Sequence, residues 1–109
     1  MSAEDYSPDY KTAVEAANQT VGLKLNYKWD EEPALNIYFR SDHYPFALHD
    51  VRAIWWFTGF HPDYHQTTDT VEKINFEKME KIVRLAFLTG FQFADDPTPP
   101  KFRAIAKAQ

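Results

Sequence analysis

The 109-residue chain contains no cysteine, which excludes disulfides, thiolate zinc sites and thiol nucleophiles but leaves the redox compartment undetermined. Glycine is almost as scarce, with Gly22, Gly59 and Gly90 the only three. Glycines so far apart cannot build a phosphate-cradling loop, and no serine sits in a GxSxG elbow. Basic charge is short as well. Lys and Arg number 12 against 16 Asp and Glu, for a net charge of -4, and the cations are scattered singly. Nucleic acid, which requires a basic face to displace counterions, is therefore not an expected partner. No apolar run approaches a membrane span, and the opening MSAEDYSPDY lacks an apolar leader core. The expectation is a cytoplasmic chain with no membrane role.

Aromatic side chains are plentiful. Trp29, Trp55 and Trp56 join nine Phe and six Tyr to make 17% of the chain. Such a composition offsets the entropy of folding, so a folded domain is expected rather than disorder. One domain spans 1–109, large enough to bury roughly two-thirds of its unfolded surface. So many rings imply either a bulky core or a core shared with something else.

Element signals follow in order. SPDYKTAVEAANQTVG reads as a helix, with Ser7 as cap, Pro8 at the first position and Gly22 as the stop. Tyr10, Val14, Ala17 and Val21 form its apolar stripe. LKLNYKW alternates Leu23, Leu25, Tyr27 and Trp29 with polar residues, as an edge strand does. RSDHYPFALHD suggests a short helix capped by Ser41, and VRAIWWFTG a strand whose core Ala53–Phe57 is apolar on both faces. From a cap at Asn75, a long helix is expected to bury Phe76, Met79, Val83, Ala86, Gly90 and Phe93, widened by Ile82, Leu85 and Leu88. Residues 96–109 read as a loose tail. The order is α/β in character, and a two-faced strand with few strand neighbours implies an incomplete sheet.

Between the apolar strand and the long helix lies FHPDYHQTTDT, Phe60 to Thr70. Ligand sites in open α/β sheets collect past the carboxyl ends of strands, which is where this stretch falls. His65 is a candidate metal ligand and Tyr64 a candidate O–H donor to an oxyanion. Asp69 and the threonines are candidates for orienting the loop. Zinc asks for three or four protein ligands, however, and no HExxH or HxH spacing occurs. On chemistry alone, polar residues at a helix entrance are the better reading. His61 and His65 share the loop, whereas His43 and His49 are six apart and do not share a helical face.

The block RSDHYPFALHDVRAIWWFTGFHPDYHQTTDTVEKINFEKMEKIVRLAFLTGFQFAD resembles the C-terminal part of family M28 zinc aminopeptidases. The match runs from about Arg40 to about Asp95, and EAANQTVGLKL resembles the helix and turn that precede it. The resemblance implies a partial three-layer αβα segment, the C-terminal third of a peptidase domain, completed by self-association or a partner. It implies a zinc-dependent hydrolase of N-terminal peptide bonds, with His65 as a zinc ligand and Tyr64 as the group steadying the tetrahedral intermediate. Ser41, Asp42 and His43 are implied to border the pocket, and Asp69 to sit at the loop–helix junction. The family's other zinc ligands and its general-base Glu belong to an N-terminal portion absent from this chain, and Glu31–Glu32, before Pro33, does not replace them. The expectation is a metallopeptidase part, inactive alone, whose partner is either that N-terminal portion or a second copy forming a homodimer; peptide would be the substrate once completed. The alternative is a non-catalytic domain that acts through homo-oligomerisation or partner binding. Members of the family are often secreted, so the resemblance pulls against a cytoplasmic location.

Overall fold

Pro8 opens the first helix, α1 (Pro8–Val21), in the computed structural model, which describes residues 8–29, 40–49, 51 and 53–101. Thr12 Oγ1 donates to the Pro8 carbonyl at 3.2 Å across the first turn. Gly22 ends the helix with a φ of 75°, a conformation that favours glycine, and its N–H donates to the Asn18 carbonyl at 2.7 Å. Asn18 then clamps the exit. Its Oδ1 accepts from Leu23 N–H at 2.9 Å and its Nδ2 donates to the Leu23 carbonyl at 2.6 Å. That two-point grip turns the chain into the segment that follows. Ser7, the expected cap, lies outside the described residues.

Along 23–29 exposure alternates as expected, with Leu23, Leu25, Tyr27 and Trp29 turned partly inward and Lys24, Asn26 and Lys28 outward. The segment is nevertheless not a strand, and neither is Ala53–Phe57. No strand is present among the described residues. A strand is defined by ladder hydrogen bonds to a neighbour, and these two segments do not pair with one another. They instead line one open hollow of ≈ 490 Å³ together with Val14, Ile82 and Leu85. Ala53, Ile54, Trp55, Trp56 and Phe57 are each half-buried, so the expected burial on both faces is not reached. Among the described residues the structure shows helices flanking two extended segments, and the three-layer α/β arrangement is not seen there.

The short helix α2 (Tyr44–Leu48) buries Ala47. Its N-cap is His43 rather than Ser41, whose backbone carbonyl accepts from Tyr44 N–H at 3.0 Å. A single 3-10 turn, Val71–Lys73, leads into α3 (Phe76–Asp95). Asn75 caps α3 as expected, its Oδ1 accepting from Lys78 N–H at 2.9 Å. Exposed Lys81–Glu77 and Arg84–Glu80 pairs run along its outer surface.

α1 packs on α3, with Leu85 and Thr89 fully buried and the Tyr10 and Phe93 rings 4.7 Å apart. The Thr89 hydroxyl donates to the Leu85 carbonyl at 2.9 Å, so its burial leaves no donor unmet. The packed face differs from the one expected. Phe76, Met79 and Val83 point to solvent. At 100° per residue Val83 and Leu85 lie about 200° apart, so α1 can cover only one of the two apolar sides. It covers the Leu85 side. The chain that the sequence marks as a tail is described as far as Lys101, whose N–H donates to Asp9 Oδ2 at 2.6 Å.

Candidate functional site

Phe60 to Thr70 forms a series of tight turns rather than an open loop. Tyr64 N–H donates to His61 O at 3.0 Å, Gln66 N–H to Asp63 O at 2.9 Å, and Asp69 N–H to Gln66 O at 3.1 Å. Asp63 staples the series from within. Its Oδ1 accepts from Thr68 Oγ1 at 2.6 Å and from Lys73 Nζ at 2.7 Å, tying the turn to the entrance of α3. The Lys73 and Thr68 hydrogen bonds hold the Asp63 carboxyl below its ordinary 3.8. Nearby Glu72 is also held low, first by its own backbone N–H and then by the Thr70 hydroxyl.

Asp63 is the residue that sequence reasoning missed, having given the orienting role to Asp69 and the threonines. Asp69 is exposed and supports the turn through its N–H. The signal was a lysine ten residues on, which only the 3-10 turn at Val71–Lys73 brings back to the loop.

The series presents Tyr64 and His65. His65 is the only non-glycine residue with a positive φ among the described residues, at 57°. This left-handed conformation is uncommon for a side chain with a Cβ, and His65 is exposed. The His65 ring stands edge-on to Tyr64 at 4.2 Å, with the His61 ring 6.0 Å from the same phenol. Tyr64 itself is half-buried against Phe60 at 5.0 Å and Phe57 at 6.4 Å. Trp29 closes the same cluster edge-on to Phe57 and Phe60, and its indole lies 3.8 Å from the position a Cβ would take at Gly59. The cluster packs against Tyr64, and the exposed His65 ring meets it through Tyr64.

The block expected to border the pocket is joined to this floor through rings. His43 stacks on Trp55 at 5.4 Å, and Trp55 on Phe57 at 4.7 Å. Ser41 is half-buried at the start of that block and Asp42 is exposed. Glu31 and Glu32 lie outside the described residues. A metal ion is not accommodated by this donor set alone: among the described residues no three His, Asp or Glu side chains converge on one point. Among the same residues, no helix is long and apolar enough to cross a membrane.

Comparison with known proteins agrees with the loop motif. A family model described as Peptidase family M28 matches residues 2–89, from before α1 to the middle of α3. No curated protein and no solved structure matched the chain. The match takes in the Asp63-stapled turns, the Tyr64–His65 pair and the helices on either side, which is most of the chain, and on that extent the protein belongs to peptidase family M28.

Proposed function

We propose that the chain supplies the C-terminal corner of an M28-type zinc aminopeptidase site, and that hydrolysis of N-terminal peptide bonds requires residues beyond these 109. The observation that carries this reading is the His65 backbone. A left-handed histidine costs conformational energy, and three backbone hydrogen bonds and the Asp63 staple hold it in place with the imidazole exposed. Such an arrangement suits a donor offered to something outside the chain. His65 is the metal donor of this reading, and the Tyr64 hydroxyl beside it is a hydrogen-bond donor for a carbonyl oxygen of bound peptide. One imidazole is not a zinc site, so no reaction step is assigned to the chain alone.

The test is hydrolysis of an aminoacyl-nitroanilide by the purified chain with zinc added. The reading expects no turnover above that of zinc in buffer. Turnover that disappears in His65→Ala would mean that the chain assembles a complete site by itself, contrary to this proposal. In a parallel zinc titration followed by histidine ring NMR, His65 is expected to shift before His43, His49 and His61. A uniform or absent response would remove the donor role.

A second reading, a non-catalytic domain of peptidase descent that acts by association, is favoured by a separate observation. Five large apolar side chains on α3 face solvent: Phe76, Met79, Val83, Phe87 and Phe91. Both readings share the need for a partner, and they differ in whether the partner brings metal ligands.

A further inference from the structure

α3 is apolar on two sides, and α1 packs on only one. On the open side exposure runs from 46% at Met79 to 67% at Phe87. Glu80 and Arg84 edge a shallow groove that runs over Phe76, Met79, Val83 and Phe87. A contiguous apolar row with a charged rim is the usual form of a protein interaction surface.

The residues of this row are arranged symmetrically about Val83. Met79 and Phe87 lie four residues to either side, and Phe76 and Gly90 seven to either side. At about 100° per residue all five fall within an arc of roughly 80°. A second α3 laid antiparallel, Val83 against Val83, sets Met79 on the partner's Phe87 and Phe76 over the partner's Gly90. Large meets small at the ends of the row.

Gly90 supports the same register independently. It is exposed, and a Cβ built on it meets nothing within 4 Å. Glycine weakens a helix interior, and among the described residues no neighbour calls for it there. A phenyl ring lying on the backbone of a second helix does.

Charge fits too. Glu80 and Arg84 lie on one flank of the row, about 60° and 100° round from Val83. A two-fold axis through Val83 brings that flank of both copies together. Arg84 then stands about two residues, or ~3 Å along the axis, from both the partner's Glu80 and the partner's Arg84, so two carboxylates and two guanidiniums form one alternating cluster on that flank. The intrahelical Arg84–Glu80 ion pair already holds both groups at that edge.

We infer that the protein forms an isologous dimer through α3, antiparallel about Val83, with Phe76 seated on the partner's Gly90 and Arg84 paired to the partner's Glu80. This dimer does not depend on the metal donor, and it differs from one made by continuing a sheet. Sedimentation equilibrium of the full chain tests it. The expected mass is twice 12.8 kDa at ~100 μM chain, falling to the monomer on dilution, as suits an interface of modest area. Glu80→Arg and Arg84→Glu, each alone, are expected to weaken association about tenfold or more. An equimolar mixture of the two variants should associate again, because their flanks then carry opposite charge. Val83→Glu should give a monomer with unchanged helical circular dichroism; if that variant fails to fold, the charge-swap mixture decides. A wild-type monomer at that concentration overturns the inference and leaves the row to a different chain. A dimer indifferent to all three substitutions, or a mixture that stays apart, overturns the register.

Discussion

His65 and Asp63 form a pair in which one residue carries strain and the other holds it. A non-glycine residue in the left-handed region costs on the order of 1 kcal/mol, and glycine there does not. His65→Gly is accordingly expected to raise unfolding stability by ~1 kcal/mol in urea melts, while removing the imidazole from the site. A loss of stability instead would show that the His65 ring is a packing group. Asp63 makes the same turns sensitive to acid. Its folded pKa is depressed below 3.8 by the Lys73 and Thr68 hydrogen bonds, so its contribution is present above that value and is lost as pH falls through the folded pKa. Asp63→Asn should flatten the dependence of stability on pH below 3.8 and leave the dependence near neutrality unchanged. The sequence singled out His65 through its place in DYHQTTDT beside Tyr64, and the structure adds its left-handed backbone. Asp63 was not legible, because its role depends on a tertiary contact with Lys73 that no local rule encodes.

Helix punctuation could be read directly, because caps act locally. Pro8, Gly22 and Asn75 each stand where their chemistry places them. Asn75→Ala should cost ~1 kcal/mol of stability, measured in the same melts, through loss of the hydrogen bond from Lys78 N–H. The packed face of α3 was not legible, since two apolar sides compete and only the position of α1 decides between them. Leu85→Ala removes the centre of the chosen side and should cost ~2–5 kcal/mol, whereas Phe87→Ser on the open side should leave monomer stability nearly unchanged. Equal effects of the two would mean that the open side is also packed. The strands are not seen among the described residues. Periodicity in Leu23–Trp29 and apolarity in Ala53–Phe57 report what those segments are fit to pair with, not which residues they pair with.

The whole molecule shows the same incompleteness. Buried apolar residues among those described are Ala13, Val14, Ala47 and Leu85, a small core for a chain that is 44% hydrophobic. The Cα radius of gyration is 15.1 Å, larger than the ~13 Å of a compact domain of this length. Extended segments that do not pair among the described residues, an exposed apolar face on α3 and an exposed histidine in a left-handed conformation are the features that the proposed partner would complete. The most direct test is the zinc content of the purified chain after zinc loading and exhaustive dialysis at neutral pH. The account predicts no zinc retained by wild type or by His65→Ala. Retention near one zinc per chain or per dimer in wild type, lost in His65→Ala, would contradict it, because the donors taken to lie elsewhere would then be present in the chain itself.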